Sequence, residues 1–176
     1  MNKDVLLVFY SLSGTGRRAA EALAAMRDWR LAEIVEPAPR TGFVGTLRCV
    51  VDSLLRRRVP IHYRGPYPGS YTTVVLISPV WAGRMAAPMR SFIAKHAAEL
   101  PNVALLTVMG GRGAPEVVAE AGRLLGRSPI LSTAFTTREI EDGSGTARLS
   151  AFADALHGAQ QASAAVRPAL WSPQTS

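Results

Sequence analysis

Eight residues between an apolar run and a small-residue helix could do chemistry: Ser11-Leu12-Ser13-Gly14-Thr15-Gly16-Arg17-Arg18. Val5 to Tyr10 leads into them, and Ala19 to Met26 leads out. Hydroxyls and glycines at a strand-to-helix junction form a nest of backbone N–H groups at a helix N-terminus. Such a nest holds an anion, most often a phosphate. The bland alternative is a tight turn with Ser13 or Thr15 as a plain N-cap.

Two later segments have matching chemistry. Ser78-Pro79-Val80-Trp81-Ala82-Gly83-Arg84 follows the strongest apolar run, Thr73–Ser78. A Trp at the carboxyl end of a strand can lay a face or edge beside a flat ring. Gly83 would let backbone approach that ring. The alternative is a hydrophobic plug. Thr107-Val108-Met109-Gly110-Gly111-Arg112-Gly113-Ala114-Pro115 follows the next apolar run, and its glycines leave backbone N–H groups open to a ligand edge. It contains no aromatic residue, and its alternative is a Gly-rich connector.

The elements that must position these loops follow from pattern. Five apolar runs read as strands: Val5–Tyr10, Arg30–Glu36, Thr73–Ser78, Val103–Met109 and Ile130–Phe135. Their lack of alternation suits strands buried on both faces of a parallel sheet. Helical patterns lie between and after them, at Arg17–Arg27, Gly42–Arg58, Ala86–Ala98, Gly113–Leu125 and Ser144–His157. In the second, Val44, Leu47, Val50, Val51, Leu54 and Leu55 share one face, expected to pack inward, with Cys49 pointing away. Pro60–Ser70 reads as a loop. Strand–helix alternation implies right-handed crossovers and a three-layer α/β sandwich. Residues 1–160 are expected to form the domain and 161–176 a C-terminal tail.

Composition bounds the function. The chain has 176 residues, 48% of them hydrophobic and 19% charged, which suits one domain. Cys49 is the only cysteine, so no intramolecular disulfide and no cysteine metal cluster can form. A reducing, cytoplasmic setting is the simplest expectation. The six-residue apolar run near the N-terminus is too short for a signal sequence or a membrane span. The net charge is +7, carried almost entirely by arginine, since Lys3 and Lys95 are the only lysines. Arginine is spread along the chain, with one cluster at Arg56–Arg58 read as a solvated helix end. This argues against a dedicated nucleic-acid groove and makes attraction to anionic membranes weak.

Tyr10 to Arg18 resembles the phosphate loop of the flavodoxin-like family, commonly (S/T)-x-(S/T)-G-x-T. The resemblance covers Asp4 to about His157. It implies a three-layer flavodoxin-like fold with a five-stranded parallel sheet in the order 2-1-3-4-5. It further implies an FMN cofactor, with Ser11, Leu12, Ser13, Gly14, Thr15, Gly16 and Arg17 around its phosphate. Pro79, Val80, Trp81, Ala82, Gly83 and Arg84 would form one flavin-bordering loop, and Gly110, Gly111, Arg112 and Gly113 the other. Gly16 departs from the motif, whose last residue is Thr; Arg17 or Arg18 would compensate through charge-assisted contact. No side chain need act as nucleophile or acid, because a flavin supplies the chemistry.

Charge sets the mechanism within that reading. Electron-carrying flavodoxins are typically acidic, and this chain is basic. Arg84 and Arg112 in the bordering loops would stabilise a reduced, anionic ring and favour two-electron chemistry. The expectation is an FMN-dependent oxidoreductase taking hydride from NAD(P)H to a quinone-like or other small acceptor. Related reductases are often dimeric, which implies a homodimer. The alternatives are a one-electron flavodoxin carrier and a flavin-free flavodoxin-fold binding module. A third reads Gly14-Thr15-Gly16-Arg17-Arg18-Ala19 as a dinucleotide turn with Glu33 or Glu36 as its acid.

Overall fold

The computed structural model of the chain describes residues 4–37 and 42–166; side chains at 42–44, 46, 49 and 161–166 are outside that description. Chain order begins β1 (Val5–Phe9), α1 (Thr15–Arg27), β2 (Arg30–Val35), α2 (Gly42–Leu54) and β3 (His62–Arg64). A 3-10 turn at Pro68–Ser70 leads to β4 (Thr73–Trp81), β5 (Arg84–Met85) and α3 (Ala87–His96). The chain continues through β6 (Asn102–Met109), α4 (Ala114–Leu125), β7 (Leu131–Thr136), α5 (Thr137–Glu141) and α6 (Thr146–Val166). Helix α6 runs through the expected tail boundary, and residues 167–176 of that tail lie outside the described residues.

The sheet corrects the expected topology. It has seven strands rather than five, in the order β3-β2-β1-β4-β6-β7 with β5 paired to β4, in place of 2-1-3-4-5. β2, β1, β4, β6 and β7 pair in parallel. The additions are two short antiparallel strands, β3 on the edge of β2 and β5 on the end of β4. Both fall in stretches with no apolar run. β5 exists because Ala82 (φ 48°) and Gly83 (φ 71°) make a two-residue turn with both central residues left-handed, the turn type that matches strand twist.

Each buried strand divides its side chains between two cores, because successive residues face opposite ways. Leu6, Val8, Val74, Leu76 and Leu105 meet Met89, Phe92 and Ile93 of α3 and Val117 and Ala121 of α4. Val5, Leu7, Val75, Ile77 and Leu106 meet Leu23 of α1 and Leu149, Phe152 and Leu156 of α6. Gln160 near the C-terminal part of α6 donates from Nε2 to Thr73 Oγ1 at 2.7 Å, tying that helix to the start of β4.

Helix α2 overturns a second expectation. Most of its apolar stripe faces outward: Leu47, Val51 and Leu54, with Leu55 just past the helix end, are 53, 38, 49 and 58% exposed, while Val50 is half-buried. Asp52 and Ser53 are buried instead. The reason lies beneath the helix. The Arg90 guanidinium is buried there, its Nη2 donating to Ser53 O at 3.3 Å and its Nη1 to Arg57 O at 3.4 Å. Charged hydrogen bonding therefore takes the inner face of α2. The expected roles of the Val44 and Cys49 side chains lie outside the described residues. No helix among the described residues is long and apolar enough to cross a membrane.

Candidate functional site

The chain passes from β1 to β2 on one side, then crosses to β4 on the other, so β1 and β4 flank the point where strand order reverses. Ligands in open parallel sheets bind at the carboxyl strand ends beside such a point. The 11–17 loop follows β1, the 82–83 turn follows β4, and the 110–113 loop follows β6, the strand beside β4.

The first loop presents a bare helix end. Gly14 is the N-cap of α1 at φ 92°, and the cap has no side-chain hydrogen bond and no acidic residue in the first turn. Ser11 Oγ accepts from Gly14 N at 3.1 Å and shapes the turn. Arg18 N is the first amide to find an intrahelical acceptor, Gly14 O at 3.0 Å. The N–H groups at the start of a helix otherwise lack backbone partners and carry its positive dipole end. A Cβ on Gly14 would meet nothing within 4 Å, so the space over the turn is open. A Cβ on Gly16 would lie 3.0 Å from Tyr10 O and 3.4 Å from the Ser11 Cβ. A larger residue at position 16 would need these neighbours to shift by a few tenths of an ångström.

Side chains around the turn are committed differently. The Thr15 hydroxyl lies 3.3 Å from Ser13 Oγ and donates to Glu141 Oε1 at 3.2 Å. Arg17 pairs with Glu33 and lies over the Phe9 ring, 5.2 Å from its centroid, so its guanidinium is engaged away from the turn. The Tyr10 hydroxyl donates to Glu36 Oε1 at 2.7 Å. Glu33 and Glu36, the two candidates for the ribose acid of a dinucleotide turn, thus each hold another partner, which disfavours the dinucleotide reading.

The other two loops converge. Trp81 meets the Tyr10 ring edge-on at 5.9 Å and an interplanar angle of 84°, linking the 80s turn to the end of β1. A Cβ on Gly113 would lie 2.5 Å from Gly83 Cα, so the second and third loops touch backbone to backbone. Gly113, at φ 109°, is also the N-cap of α4. Cβ atoms on Gly110 or Gly111 would meet nothing. Pro79, Trp81, Gly83 and Arg84 are half-buried, Val80 is buried, and Ala82, Gly110, Gly111 and Arg112 are exposed; Leu12 packs against the core.

Sequence reasoning missed the residues beyond β7. An open cleft of about 600 Å³ beside the 110 loop is lined by Gly110, Thr136, Thr137, Arg138, Glu141 and Asp142. Helix α5 opens with a capping box: Thr136 Oγ1 accepts from Glu139 N at 3.2 Å, and Glu139 Oε2 accepts from Thr136 N at 2.7 Å. These bonds, with Arg148 beside it, hold the Glu139 carboxyl below its usual range. The Thr-x-x-Glu spacing was a readable signal; Glu141 and Tyr10 carried none. Among the described residues no group of three or more His, Cys, Asp or Glu could hold a metal.

No protein-family model matches the sequence, and no curated protein matches it. Solved structures do. A flavoprotein in complex with FMN from Lactobacillus acidophilus NCFM matches with a TM-score of 0.66 at 21% identity, over 81% of this chain and 99% of that one. The fold is flavodoxin-like. The NMR structure of the apo-form of the Lactobacillus flavoprotein matches at 0.59 and 20% identity, over 77% of this chain and 93% of that one. Oxidised flavodoxin 2 from Bacillus cereus matches at 0.50 and 15% identity, over 88% and 98%. In a flavodoxin-like frame the bare α1 terminus, the Trp81 turn and the 110 loop share one end of the sheet.

Proposed function

We propose that the chain is an FMN-binding redox protein. The observation that carries this reading is the uncapped α1 N-terminus opening at the switch point beside Trp81. The residues fit the group. Ser11, Ser13, Thr15 and the amides through Arg17 would hold the phosphate. Trp81 and the backbone at 82–84 and 110–113 would border the ring, and the open space over Gly14, Gly110 and Gly111 would admit it. A bound flavin supplies one- and two-electron redox chemistry. The chain supplies binding, exclusion of water by Trp81 and Val80, and positive charge from Arg84 and Arg112. That charge supports two-electron reduction by NAD(P)H of a small, quinone-like acceptor.

Titrating flavin-free protein with FMN tests the reading. Saturable fluorescence quenching with a shifted visible spectrum is expected; no binding at tens of micromolar would refute it. Bleaching of the bound flavin by NAD(P)H alone would separate a reductase from a carrier. Arg112→Ala is expected to lower the two-electron potential, by about 20 mV for each kcal/mol of charge stabilisation lost. An unchanged midpoint in a redox titration would remove Arg112 from the mechanism.

One contact favours the flavin-free binding module as a second reading. The Thr15 hydroxyl is satisfied by Glu141, which places a carboxylate beside the anion turn. Under the FMN reading, Glu141→Gln removes this repulsion and should tighten FMN binding roughly threefold to tenfold. Absence of FMN binding in both forms would favour the flavin-free module.

A further inference from the structure

The outward face of α2 is a feature that the redox reading leaves unused. Leu47, Val51, Leu54 and Leu55 recur at the spacing of one helical stripe, and all are substantially exposed. Solvent-facing apolar side chains scattered singly need no explanation, whereas a contiguous stripe marks an interaction site. Cations flank this stripe. Arg48 is 74% exposed, and Arg56, Arg57 and Arg58 are exposed just beyond the helix end. Asp52 is the only acid between 42 and 58; it is buried and lies within 4.0 Å of both Arg48 and Arg57. A groove of about 520 Å³ adjoins the turn, lined in part by Arg58, Pro60, Ile61, His62 and Lys95, with no carboxylate in its lining.

The spread of arginine along the sequence implies only weak attraction to anionic membranes, but the fold sets Arg48 and Arg56–Arg58 beside an exposed apolar stripe, and we propose that α2, with the arginine turn after it, docks on an anionic lipid bilayer. An apolar stripe bordered by arginines is the arrangement that lies in a membrane interface, apolar side chains at the acyl boundary and cations among the phosphates. The basic groove beside it offers a seat for a lipid phosphate. Charge decides against a second copy of the chain. In a two-fold pairing the same patch appears on both sides, so Arg48 and Arg56–Arg58 of each copy would be brought to one interface, where the single buried Asp52 of each copy, shared between Arg48 and Arg57, offsets only part of their charge. An anionic surface neutralises all of them.

The turn itself supplies a discriminating variant. Arg56 sits at φ 51°, in the left-handed region. Arg57 N donates to Asp52 O at 2.9 Å and Arg56 N to Ser53 O at 3.2 Å, the pattern of a helix end that favours glycine at the left-handed position. Arg56→Gly therefore relieves backbone strain while removing one cation. It should keep or raise the melting temperature and still weaken lipid binding.

The test is co-sedimentation of the full chain with phosphatidylcholine vesicles containing phosphatidylglycerol at roughly a third of the lipid, against phosphatidylcholine alone. Binding is expected only to the anionic vesicles, falling as salt rises. Arg56→Gly should weaken it about fivefold. Leu54→Gln/Leu55→Gln, which alters only exposed side chains, should weaken it at least about tenfold. Equal binding to both vesicle types, or unchanged binding of the leucine variant, would overturn the proposal. So would a dimer in sedimentation velocity that the leucine variant dissolves, with no vesicle binding, because the face would then belong to a second copy. None of these readouts involves FMN, so failure here is distinguishable from failure of the redox reading.

Discussion

Arg90→Ala is expected to lower the unfolding free energy by about 3–5 kcal/mol, the usual cost of breaking a buried ion pair by removing one partner. Arg90 and Glu120 have side chains only 3 and 6% exposed, with Arg90 Nε 2.5 Å from Glu120 Oε1. The guanidinium also donates to Met85 O at 3.0 Å and to the carbonyls of Ser53 and Arg57. The Glu120 Oε2 atom already has no hydrogen-bond partner, so truncation of Arg90 would leave a whole buried carboxylate unpaired. For a chain this size the melting temperature should fall by roughly 6–20 °C. Arg90→Lys should recover little, because an ammonium cannot span the fork. Arg90→Leu/Glu120→Leu should recover much of the loss, because removing both charges leaves neither stranded. Urea unfolding of the four proteins decides it; an Arg90→Ala loss below about 1 kcal/mol would mean that the pair is hydrated and of little weight.

The second large effect belongs to Gly113→Ala. The added methyl would lie 2.5 Å from Gly83 Cα and 3.0 Å from Val80 Cγ1, at a backbone φ of 109° that L-residues rarely adopt. Left-handed strain and overpacking together should cost about 2–4 kcal/mol. The contact joins the second and third loops, so their separation should also weaken FMN binding under the redox reading. Gly111→Ala is the internal control, since its methyl meets nothing within 4 Å; its melting temperature should barely move. Similar destabilisation by both substitutions would show that the glycines act through chain flexibility rather than through the Gly113–Gly83 contact.

The strands most plainly visible in sequence were those buried on both faces. Val5–Phe9 and Thr73–Ser78 have no polar alternation to confuse them, and β4 extends only three residues further. β3, β5 and α5 were invisible as elements because they span three, two and five residues, below the length at which periodicity speaks. The orientation of α2 is hidden in the sequence for a different reason. An apolar stripe states that a face seeks burial, but not whether the partner lies inside the molecule. The residue that turned it outward, Arg90, lies 35 or more positions from Leu55 and pairs with Glu120 thirty positions further on. No local pattern records such a pair. At the site, the loops were legible as glycine and hydroxyl clusters, whereas Glu141 reaches Thr15 across 126 residues.

The Arg90 clasp has a consequence for how this chain can change. Apart from Glu120, its partners are main-chain carbonyls, at Ser53, Arg57 and Met85. A carbonyl is present whatever residue bears it. Side chains at those three positions are therefore free to drift as far as the clasp is concerned, while the path length between them is not. One residue inserted or deleted between 53 and 57 would pull a carbonyl out of reach and leave guanidinium protons unmatched in the interior. Related chains that keep an arginine at this point of α3 should therefore vary in letters there, but not in length.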